Sequence, residues 1–498
     1  MKWTIFAPDP ALANDIADVA RIFYGPVQYE AATPEGGQDA DVRVRLTETQ
    51  ADGRLVMAAR ADGAISGEGR FEAVLQGDAL ERKRVRKRAA KLAVYRILRT
   101  ATGVRPPWGA LTGIRPTRLV YQRMEGGASL DEALDWLGDT FDVTESRRAL
   151  LRETVGVQQT LPPPRQDQAE IYVGIPFCVT RCAYCSFSSG EIGDGRLTGP
   201  YMDALIREID RTRALMDRTG LTPSTVYIGG GTPTSLPLAA LRRLMQALAP
   251  WTPGREFTVE AGRPDTIDRD KLRLFLDSGV TRISVNPQSF HDVTLQRIGR
   301  AHTAAQTVEA YALARAMGFN DINMDLIAGL PGEDEEMFRQ SLAEAARLGP
   351  DSLTVHSLAI KHASTLHLYG APLPDGAMTA RMVEAGADCA RRLGLRPYYL
   401  YRQKYMAGAL ENVAYARPGA ECLYNVRMME ETGHVLALGA GAISKRVAPA
   451  GGKIVRAPNV GNIEEYIRRV DEMAERKETL WSEEALPTMA KSAIVGAS

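Results

Sequence analysis

The middle of the chain alternates short apolar runs of β type with longer stretches in which apolar residues recur at helical spacing. Runs at residues 171–175, 225–229, 257–261, 282–286, 321–328 and 352–358 predict strands, and the periodicity at 201–218, 238–248, 268–278, 303–317 and 333–347 predicts helices between them. Strands separated by helices imply βαβ units and a parallel sheet. Six such units predict an α/β fold, a partial (β/α)₆ TIM-like barrel over residues 166–375. Before it, Pro162, Pro163 and Pro164 favour an extended polyproline conformation and mark a linker. Residues 1–165 are therefore expected to form an α+β accessory domain. Its elements are a helix at 11–23, strands at 41–47, 54–61 and 69–76, a helix at 79–100, and a further helical part in which Ser129 and Glu132 resemble a capping box. Residues 376–498 are expected to form a mixed C-terminal extension that covers the substrate and closes in a charged helix at 463–477.

Composition narrows the picture. A chain of 498 residues has room for two or three domains. Its 61 basic and 61 acidic residues balance, so no global field draws it to nucleic acid or membrane. It holds no run of 18 apolar residues, and the opening Met1–Pro10 does not read as a signal peptide. Five cysteines, three of them tightly spaced, argue against a secreted disulfide scaffold, and a reducing cytoplasmic home is expected. The stretch 81–91 carries seven basic residues on a helix whose apolar side is Val85, Ala89, Leu92, Tyr95 and Leu98. Its order after a helix and strands is loosely similar to double-stranded-RNA-binding modules, but a solvated outer face or a docking surface for the barrel accounts for it, and nucleic acid is not an expected partner. Residues 108–118 are dense in turn formers and receive no account from sequence.

The chemistry begins with Cys178, Cys182 and Cys185, in Cys-x₃-Cys-x₂-Cys spacing. They follow a short strand that Pro176 ends, at the position where α/β folds place reactive groups. Iron–sulfur cubes take cysteine thiolates, and three ligands on one loop leave one iron open. A zinc site fits less well: none of the six histidines lies within a hundred residues of the run, and Cys389 and Cys422 are isolated. Loops after the next strands add groups suited to one zwitterionic ligand. Gly229, Gly230, Gly231 and Thr232 let a backbone approach closely. Glu260 and Asp325 accept from donors, Gln288 offers an amide, and Arg300 suits a carboxylate.

These stretches resemble radical S-adenosylmethionine (SAM) enzymes, and more closely the oxygen-independent coproporphyrinogen III dehydrogenase family, HemZ-like branch. The likeness runs over about 170 to 480, through residues 172–187, 229–234, 258–266, 283–290, 323–332, 396–404 and 411–445. It implies a [4Fe–4S] cluster on Cys178, Cys182 and Cys185, and SAM contacts from Tyr172, Gly230, Gly231, Thr232, Glu260, Gln288, Arg300 and Asp325, with Tyr172 and Arg300 also catalytic. It further implies a monomer, a low-potential electron donor of flavodoxin or ferredoxin type, and anaerobic haem biosynthesis, in which a 5′-deoxyadenosyl radical takes hydrogen from the β-carbon of a propionate of coproporphyrinogen III. Loss of CO₂ and one electron then leaves a vinyl group, twice per molecule, giving protoporphyrinogen IX.

Two positions depart from the family pattern, Phe187 in place of a further cysteine and Gly174 in place of a histidine. Relatives with the same core include enzymes acting on haem or another tetrapyrrole and a haem-binding chaperone, which stand as alternatives. A tetrapyrrole needs cationic clamps and flat walls, and the run 396–404, with Tyr398, Tyr399, Tyr401, Arg402 and Lys404, offers both or else is a strand with outward charges. His356 could reach the pocket or ligate a haem iron; rim or core roles suit His362 and His367.

Overall fold

The computed structural model describes residues 1–32, 40–113, 115–185, 189–360, 364–368, 374–403, 406–448 and 454–482. Phe187, His362, Lys404 and the side chain of His367 lie outside these. Among the described residues the central feature is an eleven-stranded sheet. Six strands run parallel in sequence order: Gln168–Ile175, Thr222–Gly230, Glu256–Gly262, Arg282–Val285, Ile322–Ala328 and Ser352–Ser357. They are called the first to sixth barrel strands below. Helices Thr198–Thr219, Leu238–Leu248, Arg269–Asp277, Ala304–Met317 and Glu335–Leu348 alternate with them, as the periodicity predicts. Together they form the α/β barrel core expected from the sequence.

Side chains alternate across a strand, so two rows leave each one. The outward row is apolar: Val173, Ile228, Val259, Ile283, Met324 and Leu353 are each fully buried in the core. The inward row is polar and aromatic, and it forms the site described below.

The C-terminal segment extends this same sheet at both edges. Asn412–Ala416 pairs antiparallel with the sixth barrel strand, and Arg396–Tyr401 pairs with it in turn. On the other side His434–Leu438 runs parallel to the first barrel strand, followed by Ile443–Val447 and Ile454–Pro458. The added strands cover edges that would otherwise present unpaired backbone groups. A helix at Gly376–Arg392, absent from the sequence reading, packs against the sixth barrel strand. The charged helix expected at 463–477 is two helices, Ile463–Arg468 and Val470–Leu480. The second is anchored by Lys477, which is buried against Glu208 of the first barrel helix, with Tyr466 and Asn459 also bonded to that carboxylate.

The N-terminal part holds a five-stranded sheet in the order Gln28–Ala31, Lys2–Phe6, Val42–Ala51, Arg54–Gly63, Gly67–Val74. The first two strands escaped the sequence reading because each is short. Helices Leu12–Tyr24 and Ala79–Thr102 share its core. Four of the seven basic residues of the run on the second helix are held by partners on other helices and strands within this N-terminal part. Arg86 pairs with Glu48 at 2.7 Å, Lys87 and Lys91 with Asp15 at 2.9 and 3.0 Å, and Arg88 lies over the rings of Trp136 and Phe141. The capping box at Ser129 and Glu132 is present.

The segment 108–118 gains a physical role. Trp108 Nε1 donates to Glu411 at 2.5 Å, and Arg147 pairs with the same carboxylate at 3.0 Å. Arg402 donates to the Leu111 carbonyl at 2.5 Å, Thr117 to Glu430 at 2.8 Å, and Arg115 pairs with Glu431 at 2.5 Å. This buried polar seam ties the N-terminal part to the strands and helix that carry one wall of the site. Arg402 is therefore committed to backbone carbonyls at 111, 409 and 410, and of the two readings of the run 396–404 its strand with interior tyrosines is the one seen.

Removing one partner of a buried ion pair leaves the other charge uncompensated. Glu411→Gln is therefore expected to destabilise the protein by about 3–5 kcal/mol through the stranded Arg147, read as a shift in the urea midpoint.

Candidate functional site

The inward rows enclose a cavity of about 410 Å³. Tyr172, Tyr227, Thr258 and Glu260, Ser284 and Asn286, Asn323 and Asp325, and Thr354 and His356 line it, strand by strand. The three cysteines line its mouth just past the end of the first barrel strand, which stops before Pro176.

That loop is pinned on several sides. Gly231 N–H donates to the Ile175 carbonyl and Thr232 N–H to the Phe177 carbonyl, both at 2.7 Å. Arg263, 3% exposed, is bidentate to Asp265 and donates through Nη1 to the Thr180 carbonyl and hydroxyl at 3.1 and 2.7 Å. Thr180 Oγ1 donates to the Gly299 carbonyl at 3.0 Å, and Ala183 N–H to Ile298 at 2.9 Å. A Cβ at Gly231 would stand 2.5 Å from the Phe177 carbonyl and 3.0 Å from Cys178 Sγ, so only glycine permits this closeness. Gly174, where the family pattern has a histidine, is less crowded: a Cβ would sit 3.3 Å from the Tyr172 ring.

Glu260 accepts from the Tyr227 hydroxyl and from Gly230 N–H; burial, aided by the Asp325 charge, pushes its carboxyl up to about 7. Burial also raises Asp325, but hydrogen bonds from His356, Asn323 and Thr354 outweigh it and hold the carboxyl below its ordinary value. Asn323 donates to Asp325 at 2.7 Å, and His356 Nε2 is 3.6 Å away. Arg300 is 9% exposed; burial opposes its charge, yet Tyr184 and Cys182 outweigh that and keep the guanidinium cationic. Its Nη2 donates to Tyr184 Oη at 3.2 Å. Gln288 sits at φ +66°, a left-handed conformation costly for a non-glycine residue. The kink lets its N–H donate to the Asp325 carbonyl at 2.9 Å and its carbonyl accept from Ile327 at 3.0 Å. All the predicted site residues thus meet around one cavity.

The donor set fits the two groups that the resemblance implies. Gln288 Oε1, Asn286 Oδ1, Ser284 Oγ, Thr258 Oγ1 and Arg300 Nε are buried against this cavity without a protein partner. Unsatisfied polar atoms gathered on one cavity mark a place for a polar ligand. Among the described residues no three ligating side chains are close enough together for a single metal ion. Three thiols line one cavity mouth, and cysteine thiolates are the ligands of iron–sulfur clusters.

Several lining residues escaped the sequence reading. Tyr227 stood at an inward position of a predicted strand, two before Gly229, so the period-two alternation could have found it. Tyr184 lay inside the cysteine run. Asn412, Cys422 and Asn425 come from the C-terminal segment and carry no local signature. Tyr424 joins Tyr172 and Tyr227 in a stack, with ring centroids 4.3 Å apart for Tyr227–Tyr424 and 6.0 Å for Tyr172–Tyr424.

A parallel barrel with a three-cysteine loop after its first strand defines a radical SAM protein, and the radical SAM superfamily matches residues 172–345. Proteins of this class use a [4Fe–4S] cluster and SAM. The chain is 36% identical over 487 residues to the oxygen-independent coproporphyrinogen-III oxidase-like protein HemZ of Bacillus subtilis, covering 94% of this chain and 95% of that protein. It belongs to this oxygen-independent coproporphyrinogen-III oxidase-like family. It is also 31% identical over 294 residues to the heme chaperone HemW of Escherichia coli, covering 58% of this chain and 72% of that one. Among solved structures, coproporphyrinogen III oxidase (HemN) of Escherichia coli, described as a radical SAM enzyme, is 26% identical, covers 65% of this chain and 73% of its own, and has a TM-score of 0.49.

A carboxyl raised from 4.5 to about 7 favours the folded state while it is protonated, and that contribution fades as pH rises through about 7. Denaturation midpoints of the cofactor-free protein are expected to fall between about pH 5 and about pH 8 more steeply than those of Glu260→Gln.

Proposed function

We propose that this chain is a radical SAM enzyme that oxidatively decarboxylates two propionates of coproporphyrinogen III to vinyl groups, giving protoporphyrinogen IX. One observation carries the reading. Three thiols of one loop, a polar rim and a tyrosine wall share a single cavity, in a chain whose HemZ relative matches 94% of its length. Cys178, Cys182 and Cys185, three thiols on one loop, would hold the cluster. Gly230, Gly231, Thr232 and Glu260 receive the amino group of SAM, Arg300 its carboxylate, and Asp325 and Gln288 the ribose side, with Tyr172 beside them. When bound, these groups supply an oxidising carbon radical that no side chain provides.

The remaining work belongs to the chain. Amino N–H groups donating to Glu260 favour its ionised form, so binding there releases a proton below about pH 7. Arg300 stays charged and buried, which makes its bond to a carboxylate directional as well as strong. Tyr399 and Tyr401, parallel within 2°, offer a flat wall for a pyrrole ring. Enclosure by the tyrosines keeps water from the reacting carbon. Electrons come from a flavodoxin or ferredoxin type donor, and exposed Val179 marks the cysteine loop as reachable from outside. The five cysteines form no disulfide and, among the described residues, no helix is long and apolar enough to cross a membrane, in keeping with work in the cytoplasm.

A second reading, haem binding without turnover, is favoured by the similarity to the heme chaperone HemW and by His356 in the cavity.

The deciding experiment is an anaerobic assay of cluster-reconstituted protein with SAM, a low-potential reductant and coproporphyrinogen III, following deoxyadenosine and porphyrin by mass spectrometry. Stepwise loss of CO₂ coupled to deoxyadenosine is expected. Tight haem binding with no porphyrin change would favour the chaperone instead. Cys182→Ala is expected to lose both the cluster absorption and deoxyadenosine formation; retention of either contradicts the ligand assignment.

A further inference from the structure

Two of the three cysteine sulfurs have a hydroxyl aimed at them. Thr232 follows the glycine turn and is fixed from both sides: its N–H donates to the Phe177 carbonyl at 2.7 Å, and its own carbonyl accepts from Ser235 N–H at 2.8 Å. With the backbone held, its Oγ1 donates to Cys178 Sγ at 3.6 Å. Thr232 is buried, so little water competes for that proton. Gly231 allows the approach, since a Cβ there would stand 3.0 Å from the same sulfur.

Tyr184 stands to Cys182 as Thr232 stands to Cys178. It lies between the second and third cysteines, and its ring packs on the apolar group of Leu295, Ile298 and Ile327. Its phenol is in hydrogen-bond contact with the Cys182 sulfur. Its oxygen also accepts from Arg300 Nη2 at 3.2 Å. A bond accepted from a cation polarises the phenol and makes its own O–H a stronger donor. A ligating thiolate carries negative charge, and one-electron reduction of a cluster adds to it. A donor to sulfur therefore favours the reduced form over the oxidised one, and such bonds are among the factors that set a cluster's potential.

We propose that the Thr232 and Tyr184 hydroxyls, by donating to the Cys178 and Cys182 sulfurs, raise the reduction potential of the cluster those cysteines hold. The proposal rests on the radical SAM reading above. The step concerned is the entry of one electron from an external low-potential donor into the cluster. No covalent bond forms or breaks in it, and both protons stay on their oxygens. The two residues are positioning residues, acting on the cluster through its ligands. Their effect is to bring the reduced cluster within reach of a donor of flavodoxin or ferredoxin type.

The test is an EPR-monitored redox titration of the full-length, cluster-reconstituted protein without SAM, so it needs neither cofactor binding nor turnover. Thr232→Val and Tyr184→Phe each remove one hydroxyl at nearly unchanged shape. Each is expected to lower the reduced-to-oxidised ratio at a fixed solution potential about tenfold, a shift of ~59 mV for one electron. Thr232→Ser, which keeps a hydroxyl, is expected to titrate near wild type. A potential unchanged or raised in either variant, with the cluster fully loaded, overturns the assignment for that hydroxyl and leaves the radical SAM reading standing. If a variant assembles no cluster, wild type decides. Its iron–sulfur stretches in resonance Raman spectra are expected to move between H₂O and D₂O, and unmoved stretches overturn the proposal. Wild-type protein that takes up no four-iron cluster overturns the radical SAM reading, and the tuning with it.

Discussion

The site depends on one main-chain clasp. The glycine turn after the second barrel strand lies directly on the cysteine loop that follows the first, through Gly231 to Ile175 and Thr232 to Phe177, each at 2.7 Å. Backbone can meet backbone this closely only because Gly231 has no side chain. The contact fixes where Cys178 stands relative to Glu260 and the polar rim. It also joins the cysteine loop to the polar rim across one cavity. Arg263 braces the same loop from the third barrel strand, so the cysteines are positioned by three successive βα loops.

A second constraint follows from what fills the barrel. Parallel barrels are usually packed inside by branched apolar side chains. Here the inward row is Tyr, Thr, Ser, Asn and acids, while the outward row carries the apolar core. Stability comes from the helix-facing side and from the seam that binds residues 108–118 and Arg147 to Glu411, Glu430 and Glu431. The interior is thereby left free for polar ligands. Buried polar atoms without protein partners, a left-handed Gln288 and a carboxyl at about 7 are local penalties that the surrounding structure sustains.

Much of this was legible in the sequence because it is local. Cys178, Cys182 and Cys185, Gly231, Glu260 and Gln288 sit near or just past the ends of consecutive strands, while Asp325 stands at an inward position within its strand and Arg300 follows the helix after the fourth. What was not legible is non-local. Cys422 and Asn425 reach the cavity from a helix start far down the chain, and Arg402 was turned away from it by the Leu111 carbonyl of the N-terminal part. The C-terminal strands join both edges of the barrel sheet, a pairing no short pattern announces. Residues 108–118 read as unexplained turns because their partners lie more than 280 positions away.

The central claim is that Cys178, Cys182 and Cys185 would hold the cluster in the same cavity as the organic cofactor. EPR of the reduced, reconstituted cluster with and without SAM addresses it most directly, with ENDOR on SAM labelled at its amino nitrogen. The account predicts a changed g-tensor on addition and a nitrogen coupling to iron. An unchanged spectrum with no coupling, from protein carrying a full cluster, would contradict it.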